Sequence, residues 1–193
     1  MFARIFPLLL LVIATLIPGS ALAQWGRRFT VAAGPAIGVD GTPPNAGAHL
    51  RTSAALSPGP RALNLLADAY ITWLAPATAV DIFPGVGRVS TRDQETQLGG
   101  GLSAVITFFR QQAVSPYLLV GGVYRWSDAS HRVEARDPLG QVIRFEADVQ
   151  EDQFDILFGL GTAIRSGTRR LVVEARVYGG TTIYLPLTLG LTF

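Results

Sequence analysis

The chain has 193 residues, 49% hydrophobic and 16% charged, with 21 Gly, 12 Pro, no Cys and a formal net charge of +2, and every basic residue is Arg. Intrinsic disorder is excluded on these numbers, and without Cys there is no disulfide framework, Cys-ligated zinc, iron–sulfur cluster or thiol nucleophile. A soluble surface carries roughly a quarter to a third charged residues, so this exterior must be kept largely from water, and the charge is too small to indicate a nucleic-acid partner.

The N-terminus reads as an export signal. Arg4 supplies the positive region, and Ile5 to Ile17 is apolar apart from Pro7 and Thr15. That run is shorter than the about 20 residues a spanning helix needs. Pro18, Gly19 and Ser20 break it, and Ala21-Leu22-Ala23 fits a small-residue cleavage site. A signal peptide over 1–23 and one mature domain over 24–193 are expected. No Cys follows the cleavage site, so a lipoprotein is excluded.

In the mature chain the recurring signal is period-two alternation, which marks strands with one apolar face. Eight strands are predicted, over 29–39, 49–57, 63–74, 96–109, 117–127, 152–164, 170–178 and 183–193. Most are close to the roughly 9 to 11 residues of a tilted membrane-crossing strand. Alternation is clearest at the end, where Leu185, Leu187, Leu189, Leu191 and Phe193 share a face opposite Pro186, Thr188, Gly190 and Thr192. Pro35 and Pro186 each remove a ladder donor from their strands. Linkers 58–62, 110–116 and 165–169 are short, whereas 75–95 and 128–151 are long. Short turns on one side and long loops on the other are the asymmetry of outer-membrane barrels. The expected fold class is therefore all-β, an eight-stranded antiparallel up-and-down transmembrane β-barrel.

Charge sorts on that topology. Arg27, Arg28, Arg61, Arg110, Arg165, Arg169 and Arg170 fall on the periplasmic side with no acid. The outer side holds Asp40, Asp81, Asp93, Glu95, Asp128, Glu134, Asp137, Glu146, Asp148, Glu151 and Asp152, with Arg88, Arg92, Arg132, Arg136 and Arg144. Six charges remain within strands, Arg51, Asp68, Arg125, Asp155, Glu174 and Arg176, all opposite the apolar stripe. Arg facing lipid at the midplane costs about 2 to 4 kcal/mol, so these six are expected inside, in a network whose pairing is open. Aromatics collect at strand ends: Trp73, Tyr124 and Trp126 at the outer ends, Phe29, Phe108 and Phe193 at the periplasmic ends. They are expected to form two interfacial girdles.

With these features the chain resembles the small eight-stranded outer-membrane barrels of the OmpA and OmpX type. The terminal strand, Tyr184 to Phe193, looks like the signature read by the bacterial barrel-assembly machinery, with Leu187, Leu189, Leu191 and Phe193 as the signal residues. The resemblance implies insertion into the bacterial outer membrane by that machinery, among lipid and lipopolysaccharide. A monomer is expected. Residues 132–146 read as two alternating arms about Asp137-Pro138-Leu139-Gly140. The fifth and sixth strands are thus expected to project as a charged hairpin, similar to the protruding sheet of OmpX-like proteins, with an extracellular partner at the 128–151 loop.

Other chemistries find less support. Ser130, His131 and Glu134 supply the residue types of outer-membrane lipid A deacylases, but those enzymes place them on the lipid-facing wall, and here they lie in an outer loop without a supporting motif. His49 reads as an ordinary polar contact. The pairs Glu151 with Asp152 and Glu146 with Asp148 have no calcium-loop spacing, so no metal and no cofactor are expected. Gly159-Leu160-Gly161 lies in a strand with no following helix, so it is no nucleotide fingerprint. Small inward residues, among them Ala32, Gly34, Gly99, Gly121 and Gly161, leave room that long side chains fill. A narrow channel therefore ranks below a filled lumen. A soluble eight-stranded ligand carrier would leave a nearly uncharged exterior in water. The expected function is non-enzymatic, structural or interactive through the loops, with a lipid-modifying enzyme or a narrow channel as the alternative.

Overall fold

Alternation along the chain builds eight strands: β1 (Phe29–Gly38), β2 (Asn45–Ala55), β3 (Leu63–Phe83), β4 (Gly87–Thr107), β5 (Val114–Arg136), β6 (Val142–Ser166), β7 (Arg169–Gly179) and β8 (Tyr184–Thr192). Each pairs antiparallel with its chain neighbours, and β1 pairs with β8 to close a barrel. The computed structural model describes residues 29–39, 45–56, 63–83, 87–137, 139–167, 169–180 and 183–193. The expected signal peptide over 1–23 lies outside them, as do Arg27, Arg28, Asp40 and Arg61.

The two faces differ chemically. On β8, Leu187 and Leu189 are exposed on the outer wall while Tyr184 and Thr188 are buried in the lumen. A slip of one residue would reverse every such assignment, so the hydrophobic pattern sets the register. Both prolines fall on the closing strands without ending them. The β1–β8 ladder skips Gly34 and Pro35, and the β7–β8 ladder skips Arg176 and Val177 opposite Pro186 and Leu185. The seam is held at its periplasmic end by Phe193 N donating to Phe29 O at 2.9 Å.

Strand lengths fall into two groups. β1, β2, β7 and β8 have 10, 11, 11 and 9 residues, enough to cross a membrane. β3, β4, β5 and β6 have 21, 21, 23 and 25, about twice what crossing needs. The expected long loop at 75–95 is therefore corrected: β3 runs on to Phe83 and β4 starts at Gly87. Outside the membrane no lipid demands strict alternation, and Pro76 with the bulge between Leu74 and Ala77 breaks the pattern that would have marked the strand.

Inside, small and large residues interlock. A methyl at Gly99 would land in the Tyr70 ring and one at Gly161 in the Tyr117 ring, so these glycines create the space their neighbours fill. Tyr70, Tyr178 and His49 form a ring layer with centroid separations of 4.8, 5.3 and 5.9 Å.

Candidate functional site

The six strand charges all lie in the lumen, with relative exposures from 0 to 6%. They form two groups. In the first, Arg51 Nη1 lies 3.1 Å from Asp68 Oδ1 and its Nη2 lies 2.8 Å from Glu174 Oε1. Arg176 Nη2 reaches Asp68 Oδ1 at 3.3 Å, and its Nε pairs with Glu174. Two cations and two anions thus alternate around a closed, neutral ring. Ser53 and Ser103 donate to Asp68 at 2.7 and 2.5 Å, and Tyr117 donates to Glu174 at 2.7 Å. The ring joins β2 and β3 to β7 and, with the aromatic layer, spans the lumen.

The second group lies toward the extracellular mouth. Arg125 Nε is 2.7 Å from Asp155 Oδ2, and its guanidinium stacks 4.5 Å over the Tyr184 ring. Glu95, which sequence reasoning sends to the outer side, belongs to this group. It accepts from Tyr184 at 2.7 Å and from Gln97 at 3.0 Å, with Arg125 4.0 Å away. Its odd-numbered position, in phase with Gln97 and Gly99, was the available signal; the assumed loop hid it. A cavity of about 220 Å³ opens here, lined in part by Asp93, Glu95, Arg125, His131, Glu151 and Tyr184.

Above the mouth the barrel becomes a four-stranded sheet. β2 follows β3 only to Gly47 opposite Leu74, and β7 follows β6 only to Gly179 opposite Ile156. Beyond those points β3, β4, β5 and β6 continue alone among the described residues. The β5–β6 turn is closed by Asp137, whose side chain accepts from Gln141 N at 2.7 Å and whose carbonyl accepts from Gly140 N at 3.0 Å. Gly140 has φ +85°, the left-handed geometry this turn requires.

Register assigns the faces of the raised sheet. Ala79, Thr91, Val133 and Phe145 form one transverse row, and Asp81, Val89, Ala135 and Ile143 the next, on the face continuing the lumen. Arg88, Arg92, Arg132, Arg136 and Arg144 all lie on the other face, which continues the lipid-facing wall. There Arg132 meets Glu146 at 2.7 Å and Arg144 meets Glu134 at 3.1 Å, each directly across β5–β6. Ile143 and Phe145, on the inner face, are 71% and 63% exposed. Ser130 and Glu134 lie on the outer face and His131 on the inner one, where it bonds Asp93 at 2.9 Å. The three residues do not form a catalytic constellation.

Trp73, Tyr124, Phe108 and Phe193 are exposed on the barrel wall, while Phe29 and Trp126 are half-buried. Tyr124 also donates to Asp152. Leu187, Leu189 and Leu191 form an unbroken outward stripe on β8.

A solved structure carries the same architecture. The neisserial surface protein A superposes with TM-score 0.52 at 18% identity, covering 85% of this chain and 95% of that one. The chain has the fold of a small eight-stranded outer-membrane β-barrel. A major outer membrane protein from Thermus thermophilus gives TM-score 0.49 at 16% identity, covering 86% of this chain and 98% of its own. The Yersinia pestis attachment invasion locus protein Ail, solved with the heparin analogue sucrose octasulfate, gives 0.42 at 10%, covering 86% and 97%. No family model matches the sequence, and comparison with curated proteins finds no match. The barrel belongs in the bacterial outer membrane, where its leucine-rich wall meets hydrocarbon.

Proposed function

We propose that this barrel is a non-enzymatic envelope protein that anchors an extracellular interaction surface, the raised sheet of β3 to β6. The observation carrying this reading is that four strands run about twice the crossing length and stay paired to their tips, leaving Ile143 and Phe145 exposed on the inner face and no strand paired to either edge among the described residues. Exposed apolar patches and free strand edges are the features by which proteins take up partners. A neutral salt-bridge ring across the lumen favours this reading over a channel, and the separation of Ser130 from His131 favours it over hydrolysis. Residues 1–23 serve as the export signal and the β8 leucines with Phe193 as the assembly signal in this account.

The test is to replace 75–94 and 130–148 each by a two-residue Asn-Gly turn, joining Leu74 to Glu95 and Ala129 to Val149, which are already opposed. The shortened barrel should insert and resist denaturant like the parent, yet lose the surface binding that the full chain confers on cells. Binding retained by the shortened form would move the function to the barrel itself. Acyl chains released from lipid A, or stable conductance steps in a planar bilayer, would replace the reading with an enzyme or a channel.

A further inference from the structure

The two edges of the raised sheet, which no described strand pairs, are unequal. On β3 the uncovered stretch 75–83 begins with Pro76 and the bulge between Leu74 and Ala77, and it carries the inward charge Asp81. These are devices by which proteins prevent edge pairing. On β6 the uncovered stretch 142–155 contains no Pro and no Gly, and its register with β5 is unbroken from Val142 to Ile164. Arg165 N donates to Ala113 O at 2.8 Å, so odd-numbered β6 residues turn their backbone groups toward β5. Even-numbered residues from Val142 to Phe154 therefore direct theirs to the open side.

Resting on the interaction reading above, we infer that the β6 edge accepts an extended segment of another protein whose residues alternate apolar and basic. The apolar half follows from the inner face, where Ile143 and Phe145 stand exposed and Val149 half-buried beside the edge. The basic half follows from charge. On the opposite face Arg144 and Glu146 are already paired to β5, whereas Asp148 has no side-chain partner among the described residues and Asp152 holds only the Tyr124 hydroxyl. An incoming strand meets a row of backbone donors and acceptors, the apolar residues Ile143, Phe145 and Val149 on the inner face and the carboxylates of Asp148 and Asp152 on the outer one. A second copy of this chain fits poorly, since it would oppose acid to acid. Copies in one membrane also point the same way, so their β6 edges cannot run antiparallel.

The experiment uses the mature chain in detergent micelles with three labelled ten-residue peptides: alternating Val and Lys, alternating Val and Glu, and a scrambled Val/Lys sequence. Amide exchange and fluorescence anisotropy are the readouts. The alternating Val/Lys peptide should bind and slow exchange at even positions of 142–155. Gln150→Pro, which removes an outward N–H and leaves the β5 ladder intact, should abolish that protection. Asp148→Lys should weaken binding about tenfold, through loss of one attraction and gain of one repulsion. Equal binding of the Val/Glu peptide, protection at β3 in place of β6, or dimer formation that competes with the peptide would overturn the inference. If the shortened barrel loses its cellular binding while Gln150→Pro keeps it, the interaction reading stands and the edge assignment falls. If the shortened barrel keeps it, the interaction reading falls.

Discussion

Arg51 and Glu174 meet at 2.8 Å across the lumen, from strands β2 and β7 that do not pair with each other anywhere in the barrel. Their contact closes the ring that Asp68 and Arg176 complete, so four buried charges from three strands neutralise one another. Burial makes the ring costly to form and far more costly to leave incomplete.

Asp68→Ala should therefore destabilise the barrel by about 3 to 5 kcal/mol, because two buried guanidinium groups would share a single carboxylate. Glu134→Ala, at an exposed rung of the raised sheet, should cost about 0.2 to 1 kcal/mol. Urea unfolding of the refolded protein in micelles measures both, and equal costs would contradict a buried ring.

Gly99→Val should destabilise by about 1 to 3 kcal/mol, since the new side chain overlaps the Tyr70 ring. Tyr70→Leu should recover part of that loss by clearing the space. A double-mutant cycle with no coupling would show that the two residues do not share it.

Hydrogen exchange along β6 should alternate above the membrane. Even-numbered amides from Arg144 to Asp152 face the open edge and should exchange quickly, whereas Phe145, Ala147, Val149 and Glu151 donate toward β5 and should be protected. Uniform protection without any partner would mean that the edge is already covered.

Because the chain has no Cys, single cysteines report topology cleanly. In intact cells an impermeant maleimide should label Asp137→Cys at the β5–β6 tip and leave Gln111→Cys, in the turn between β4 and β5, unlabelled. The reverse pattern would invert the barrel.

Leu187→Arg should cost about 2 to 4 kcal/mol if its position lies near the bilayer midplane, because a guanidinium on the outer wall has no partner there. A cost near zero would place β8 away from lipid.

Much of the barrel was legible because lipid imposes a strict rule. Every residue of a crossing strand faces either hydrocarbon or lumen, so apolar alternation from Leu185 to Leu191 and the opposite phase of Glu174 and Arg176 specify the wall and its interior directly. The rule lapses above the membrane, where both faces meet water. Residues 75–95 consequently read as a loop, and Glu95 was separated from the lumen it helps to line. The 132–146 hairpin escaped that fate because its arms keep alternating about a recognisable turn.

From the residues in order come the number of strands, the phase of each and the sign of the charge at either end, since these depend only on neighbours one or two positions apart. Which cation meets which anion is another matter. Arg51 finds Glu174 and Arg125 finds Asp155 through the stagger of a closed sheet, and the contrast between a guarded β3 edge and an open β6 edge arises only when β2 and β7 stop short. Those outcomes depend on relations between strands far apart in the chain, which closure of the barrel alone brings together.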